Sequence, residues 1–113
     1  MDCRLTASFD TRSGVLADEI GYGKTALAIA LVDVRQGSSV PPVPQKEDGF
    51  FFSSGATLVC VPSNLHQQWI DEFTKFTGKR HRIIRLRSGS DMKQQTVKSL
   101  IEADVVICNY QLL

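Results

Sequence analysis

The chain has 113 residues, of which 42% are hydrophobic and 22% charged, and its net charge is +1. This composition is typical of one globular domain, and it excludes wholesale disorder as well as a complete two-domain motor. No apolar run approaches the roughly 18 residues that a membrane span needs, and the N-terminus lacks the apolar part of a secretion signal. We therefore expect an intracellular protein without a membrane partner.

The cysteines and the charge distribution bear on whether the chain has a metal site, disulfide bonds or a nucleic-acid contact. Cys3, Cys60 and Cys108 are odd in number and lack C-x-x-C spacing, which favours reduced thiols over zinc or a disulfide framework. Residues 79–98 hold seven basic residues against one acidic residue, so a local basic segment exists in a nearly neutral chain. Within it, Arg85 and Arg87 most simply form a solvated face, with nucleic-acid phosphate contact as the alternative.

In chain order, residues 1–14 form a lead-in without a clear period, and Val15-Leu16-Ala17 is predicted as a short strand. The segment Asp18–Thr25, here called the phosphate loop, follows it. The loop glycines permit a tight turn whose N–H groups can face oxyanions. Lys24 can reach phosphates, the Thr25 hydroxyl can bind Mg²⁺, and a helix beginning near Gly23 would direct its positive end at them. The alternative is a glycine turn before an exposed lysine.

Further along the chain, strands and helices are predicted to alternate. The first helix is expected to run to about Arg35, and residues 36–55, rich in Pro, Gly and Ser, to form a disordered insertion. Phe50–Phe52 beside it either pack on the sheet or contact another part of the protein. The later elements are predicted to be a strand at 57–61, a helix with Ser63 as candidate N-cap closed by Gly78, a strand at 82–87, a helix around 97–101 and a strand at 104–108.

This order of apolar strands and amphipathic helices predicts an α/β fold with a parallel sheet flanked by helices on both faces. Trp69 lies on the apolar face of its helix, so we expect it in the core rather than as a base-stacking platform. His66 and His81 have no partner at a spacing suited to metal binding or acid–base chemistry, and we expect both at the surface. Tyr22 could pack beneath adenine or against another domain.

Three segments resemble the Swi/Snf-type ATPases, the helicase-like DNA translocases of superfamily 2. Leu16–Thr25 is similar to their motif I, L-A-D-E-M-G-L-G-K-T, in which Asp18 is the usual residue at its position. The stretch Thr57–Phe73 is similar to their motif Ia, V-x-P-x-x-L-x-x-x-W-x-x-E-[FI], through Pro62, Leu65, Trp69, Glu72 and Phe73. Asp104–Tyr110 is similar to a D-V-V-[IL]-[TS]-[TS]-Y segment, with Cys108 and Asn109 at positions where hydroxyl residues are commoner.

The resemblance implies an incomplete RecA-like lobe of a P-loop NTPase over residues 15–113. It implies ATP and Mg²⁺ as cofactors, a nuclear location, and ATP hydrolysis coupled to translocation on double-stranded DNA in chromatin remodelling or DNA repair. The implied ATP-binding residues are Asp18, Glu19, Ile20, Gly21, Tyr22, Gly23, Lys24 and Thr25, the last also at Mg²⁺. The implied DNA-contacting residues are Pro62, Ser63, Asn64, Asn109 and Tyr110.

What such an enzyme needs beyond these segments is absent from the sequence. The resemblance places the acidic D-E-x-H box and the second RecA-like lobe with its arginine finger after residue 113, so we expect no catalytic residue within the chain. Two alternatives stay open: a truncated remnant that binds a nucleotide at most, or another P-loop protein such as a nucleotide kinase. A nucleotide kinase, however, has no reason to carry the motif Ia helix or the segment 104–110.

Overall fold

The computed structural model describes residues 13–37 and 52–113, together with Thr6 and Ser8. Most of the predicted insertion at 36–55 and most of the lead-in therefore lie outside the described residues, as do Phe50 and Phe51. The helices are α1 (Lys24–Arg35), α2 (His66–Thr77), α3 (Gly89–Lys93) and α4 (Val97–Ile101). The strands are β1 (Thr57–Val61), β2 (Ile83–Leu86) and β3 (Val105–Asn109).

The three strands form a parallel sheet in the order β1-β3-β2. Thr57 is in register with Val105 and Val61 with Asn109, whereas on the other side Leu86 is in register with Cys108. β3 lies at the centre and all five of its residues are buried. Central parallel strands are covered on both faces, which explains their continuous apolar sequence. The predicted α/β fold with a parallel sheet is confirmed.

Helices α1 and α2 cover one face of the sheet. Ile29 of α1 and Phe73 of α2 pack with Val61, Val105 and Ile107 in one buried cluster. Trp69 is partly buried against this cluster, and its ring centroid lies 6.3 Å from that of Phe73. The prediction that Trp69 belongs to the core is confirmed.

The opposite face carries a second cluster, in which Leu100 of α4 packs against Ile84, Leu86, Val106 and Cys108. Helix α4 begins with a capping box, because Thr96 and Ser99 accept hydrogen bonds from each other's backbone N–H groups at 3.1 Å. This face is thinly covered, because α3 and α4 have only five residues each. An apolar pocket of about 410 Å³ remains there, and the exposed Phe52 lies on its rim.

The prediction of a strand at Val15-Leu16-Ala17 was wrong. These residues have no regular secondary structure, and the Val15 side chain is 94% exposed. The central strand β3 already pairs with β1 on one side and with β2 on the other, so it has no free edge for a further strand. A short apolar segment gains nothing from an extended conformation unless a ladder and a covered face receive it.

Helix α3 is an element that the sequence analysis missed. It follows β2 directly, and the Ser88 side chain accepts a hydrogen bond from the Asp91 N–H at its start. Its five residues show no apolar periodicity, so local capping rather than a buried face defines it.

Candidate nucleotide site

The backbone of the phosphate loop depends on two glycines. Gly21 has φ 90° and Gly23 has φ 79°, in the left-handed region that residues with a Cβ atom rarely adopt. A Cβ atom built on either glycine would meet no atom within 4 Å. The backbone conformation therefore strongly favours glycine at both positions, and the space around the turn is open to a ligand.

Lys24 closes the loop on itself. It is the first residue of α1, and its Nζ donates hydrogen bonds to the carbonyl oxygens of Asp18 at 2.5 Å and Glu19 at 2.7 Å. An ammonium group has three donors and no acceptor, so one donor remains after these two bonds. The lysine charge is thereby held inside the curve of the loop, and does not extend freely into solvent.

The N-terminus of α1 remains available to an anion. Gly23 is its N-cap, and no side chain forms a capping hydrogen bond to the first turn, which also contains no acidic residue. The first turn of a helix has N–H groups without intrahelical partners and carries a partial positive charge. Lys24 and this uncapped terminus together form an electropositive end, with Thr25 half-buried directly beside it.

A cavity of about 440 Å³ joins the loop to helix α2. Gly21, Gly23, Lys24 and Thr25 line one side, and Gln68, Glu72, Lys75 and Phe76 line the other. One turn apart along α2, the Gln68 Nε2 donates to the Glu72 carboxylate at 2.9 Å. The sequence analysis did not assign these α2 residues to the nucleotide site, because the packing of α1 beside α2 brings them to the loop and no local pattern encodes that proximity.

The carboxyl edge of the sheet brings the other predicted residues together. Val61 and Asn109 are register partners, so Pro62–Asn64 and Tyr110 leave the sheet at the same edge. Ser63, Asn64 and Tyr110 are exposed. Asn109 is buried, and its side chain donates to the Arg87 carbonyl at 3.4 Å and accepts from the Gln111 N–H at 3.1 Å.

Ser63 is not the N-cap of the helix. It begins a short 3₁₀ turn over Ser63–Leu65, α2 itself begins at His66, and no side chain caps that start. The prediction of Ser63 as N-cap was wrong because the 3₁₀ turn places three residues between Pro62 and the α-helix. The Ser63 hydroxyl is left exposed at the edge of the sheet.

The two histidines were expected at the surface, and this was wrong for both. His66 is only 3% exposed, and its Nε2 lies 3.1 Å from the Ile107 carbonyl oxygen. The His81 side chain is 5% exposed, and its Nε2 lies 2.8 Å from a carboxylate oxygen of Asp33. Sequence spacing could not reveal these partners, because each lies more than 40 residues away along the chain.

Asp33 is a residue whose role the sequence analysis missed. Its carboxylate contacts His81 and also accepts from Arg80 at 3.2 Å, while the Arg80 Nε donates to the Thr77 carbonyl at 3.0 Å. The Phe73 ring packs edge-on against His81 with 6.5 Å between centroids. We call Asp33, Arg80 and His81 the Asp33 clasp, since it ties the last turns of α1 to the segment between α2 and β2.

The basic segment is largely solvated. Arg85 and Arg87 are both exposed, as expected. Asp91 accepts from the Arg87 N–H at 2.9 Å and from the Arg87 Nε at 3.2 Å, and these hydrogen bonds lower the pKa of the Asp91 carboxyl below its ordinary value. In contrast, burial raises the pKa of the Cys108 thiol, with a smaller contribution from nearby Cys60.

In the part of the chain that the structure describes, no group of three or more His, Cys, Asp or Glu side chains is placed to hold a metal ion. Helices of the length and hydropathy that a bilayer crossing requires are likewise absent from residues 13–37 and 52–113.

A parallel sheet with helices on both faces, and a glycine loop at the start of a helix, define the class as an incomplete RecA-like α/β lobe. Among known protein families, the SNF2-related domain matches residues 5–113 of the chain. The chain belongs to the SNF2-related family of helicase-like ATPases. The predicted resemblance to Swi/Snf-type proteins is confirmed.

Individual relatives agree with this family. The chain is 38% identical over 96 residues to the DNA (cytosine-5-)-methyltransferase DMT5 of Cryptococcus neoformans, covering 85% of this chain. It is 37% identical over 95 residues to the DNA repair protein RAD5 of Candida albicans, covering 82% of this chain. It is 31% identical over 103 residues to the ATP-dependent helicase C23E6.02 of Schizosaccharomyces pombe, covering 90%. The matched regions are 4%, 8% and 9% of these relatives, respectively.

Proposed function

We propose that the phosphate loop binds the phosphates of ATP. The observation that carries the proposal is the combination of two left-handed glycines, Gly21 and Gly23, with Lys24 at an uncapped helix N-terminus. The turn offers backbone N–H groups, the helix offers its partial positive charge, and Lys24 offers a full charge. Asp18, Glu19, Ile20 and Tyr22 complete the loop. The name of one relative, an ATP-dependent helicase, supports ATP as the nucleotide.

On nucleotide binding, Lys24 is proposed to change its hydrogen-bond acceptors. Its Nζ now donates to the carbonyl oxygens of Asp18 and Glu19, which carry only partial charges. A phosphate oxygen with a full negative charge forms a stronger hydrogen bond with an ammonium group. Lys24 therefore turns from the loop carbonyls toward the phosphates.

Magnesium belongs to the same proposal. The open space beside both glycines and the polar oxygen of Thr25 at the start of α1 fit a phosphate-bound Mg²⁺, which prefers oxygen ligands and keeps several waters. Thr25 would hold the ion through its hydroxyl. When bound, the ion neutralises phosphate charge, and the residues of this chain supply binding and orientation.

The exposed residues at the carboxyl edge are proposed to face double-stranded DNA in the whole protein. Ser63 and Asn64 present side-chain and backbone donors beside Tyr110, and such groups contact DNA phosphates without reading sequence. Pro62 directs the chain out of β1. Asn109, already bonded to Arg87 and Gln111, serves this edge by fixing the turn into Tyr110. The name of one relative, a DNA repair protein, supports DNA repair as the cellular role, and chromatin remodelling and a nuclear location enter this proposal through the family alone.

We infer that ATP hydrolysis requires parts of the protein outside these 113 residues. Phosphoryl transfer to water needs a positioned nucleophile and charge stabilisation around the γ-phosphate. Asp104 is the nearest acid to a buried strand, but it precedes β3 and its Oδ2 accepts the Arg82 N–H at 2.6 Å. It therefore lies at the amino edge of the sheet, away from the carboxyl edge, where ligands of such sheets bind.

Nucleotide titration tests the binding proposal. Equilibrium binding of a fluorescent ATP analogue with Mg²⁺ should be weakened at least about 30-fold by Lys24→Ala, since a charge-assisted contact contributes about 2 kcal/mol. Lys93→Ala removes the same charge from α3, outside the cavity, and should leave binding within about twofold. Equal affinity of the wild type and Lys24→Ala would contradict the assignment of Lys24 and, with it, the proposed site.

An ATPase assay tests the second inference. The wild-type chain with double-stranded DNA should show no turnover above a no-protein control, because an arginine finger alone contributes roughly 10³–10⁵ in rate. Turnover that disappears in Lys24→Ala would show that the nucleophile-positioning acid lies within these 113 residues.

A further inference from the structure

Two of the three cysteines lie side by side on the sheet. Cys60 of β1 and Cys108 of β3 are register partners in the parallel pair. Residues in register on neighbouring strands point to the same face, and the strands lie about 4.8 Å apart. That spacing falls within the roughly 4.4–6.8 Å that separates the Cα atoms of disulfide-bonded cysteines. The backbone thus brings two thiols together that are 48 positions apart in the sequence.

Their surroundings differ in a way that suits a stepwise reaction. Cys60 is exposed, whereas Cys108 is buried and its thiol donates a hydrogen bond to the Asn109 carbonyl oxygen at 3.3 Å. Burial raises the pKa of the Cys108 thiol, which keeps it protonated and less reactive. A solvent-borne oxidant therefore reaches Cys60 first, with Cys108 as a second thiol within the same pair of strands.

We propose that Cys60 and Cys108 form a redox-sensitive dithiol that closes to a cross-strand disulfide under peroxide. The Cys60 thiolate attacks the peroxide, so a sulfur–oxygen bond forms, the oxygen–oxygen bond breaks, and the departing hydroxide takes a proton to become water. The Cys108 sulfur then attacks the Cys60 sulfenic acid, forming the disulfide and releasing hydroxide, which leaves as water with the Cys108 proton. The two thiols lose two electrons in total, and one peroxide becomes two waters.

The bridge would be reversible. Parallel strands hold neighbouring side chains about one strand spacing apart, whereas the Cβ atoms of a relaxed disulfide lie about 3.5–4.5 Å apart. A strained disulfide is more easily reduced than a relaxed structural one, so a dithiol reductant should reopen it. Closure would join β1 to β3 one residue before Val61 and Asn109, next to the sheet edge described above.

Peptide mapping of the intact chain tests the proposal. Trypsin separates the three cysteines, because it cuts after Arg4, after Lys46 and Lys75 around Cys60, and after Lys98 before Cys108. Native protein is treated with hydrogen peroxide, alkylated, digested and examined by mass spectrometry. The Cys60–Cys108 peptide pair, lighter by two hydrogen atoms, should dominate over pairs with Cys3, and should form at least about tenfold faster than in concentrated guanidinium chloride.

The controls come from the same chain. Cys3→Ser should keep the bridge, and Cys60→Ser should abolish it. Cys60→Ser is preferred to Cys108→Ser as the bridge-removing variant, because Cys60 is exposed whereas a substitution at the buried Cys108 can disturb the core. Equal abundance of all three cysteine pairs, or equal rates of Cys60–Cys108 formation in native and denaturing solution, would overturn the proposal. Because the readout is a covalent bond, its outcome is independent of nucleotide binding.

Discussion

Strand β3 and the phosphate loop lie at opposite extremes of burial. All five residues of β3 are buried, whereas Ile20 and Tyr22 in the loop are 99% and 72% exposed. β3 takes its place from packing on both faces, between β1 and β2. The loop takes its shape from two left-handed glycines and from Lys24 bonded to its carbonyls. Stability and binding are therefore expected to depend on different residues, and substitutions can separate the two.

The largest expected effect is on the core beneath β3. Phe73→Ala should lower the free energy of unfolding by about 3–5 kcal/mol, because it removes a fully buried ring from the cluster around Val105 and Ile107. Phe76→Ala, on the same helix but 49% exposed, is the control and should cost less than about 1.5 kcal/mol. Urea unfolding followed by circular dichroism measures both, and equal losses would refute the described orientation of α2.

The Asp33 clasp is expected to have an intermediate effect. Asp33→Ala should cost about 1–3 kcal/mol, because it leaves the nearly buried His81 without its carboxylate partner. The contribution of Arg80 is smaller, since its side chain is 63% exposed and solvent screens the pair. Asp71→Ala removes an exposed acid that, among the described residues, accepts from Gln67 alone, and it should be within about 0.5 kcal/mol of wild type in the same unfolding assay. Indistinguishable midpoints for both variants would argue against the clasp.

A smaller effect is expected for the loop turn. Gly23→Ala places a Cβ on a residue with φ 79° and should cost about 1–2 kcal/mol of local strain. Because the loop is barely packed, most of this strain should be relieved by a change in loop shape. Gly23→Ala should therefore weaken nucleotide binding while changing the melting temperature only slightly. Gly89→Ala is the matched control, since Gly89 has no positive φ and begins a helix. A Gly23→Ala chain that binds ATP as wild type does would separate the glycine from the site.

The smallest expected effect is the pH dependence from Asp91. Hydrogen bonds from Arg87 lower the pKa of this carboxyl in the folded chain, so its contribution to stability is present above the ordinary pKa and is lost as pH falls through the folded value. Below about pH 4, Asp91→Asn should therefore destabilise the chain less, relative to wild type, than it does at neutral pH. Melting temperatures at pH 7 and at pH 3 measure this difference, and a constant gap would contradict it.

Local patterns predicted most of the fold, for reasons that particular elements make clear. The sequence of β3 is apolar throughout, and it forms a strand that is buried throughout. Gly78 ends α2 at φ 66°, and its N–H bonds to the Thr74 carbonyl as a C-terminal glycine does. Helix α1 begins immediately after Gly23 and ends at Arg35, as predicted. In each case the pattern that predicts the element lies within a few residues along the chain.

The predictions that failed depended on distant partners. Val15–Ala17 has the composition of a strand but no neighbouring strand receives it, and Ser63 lost its capping role to a 3₁₀ turn. His66 was expected at the surface because nothing near it in the sequence explains a buried imidazole. Its partner is the carbonyl of Ile107, which the sheet brings to within 3.1 Å. A backbone carbonyl has no signature in sequence.

The sequence by itself determined the loop, the helix that follows it and the buried strands, because glycine conformations, helix termini and apolar runs act over short range. Only the tertiary structure decided which residues meet across the chain. It placed Gln68 and Glu72 beside the phosphate loop, His81 on Asp33, and Cys60 next to Cys108. These contacts follow from the packing of α1 beside α2 on one face of the sheet and from the register of β1 with β3. Both the helix packing and the strand register are determined by burial of the whole core, which involves residues far apart in the sequence.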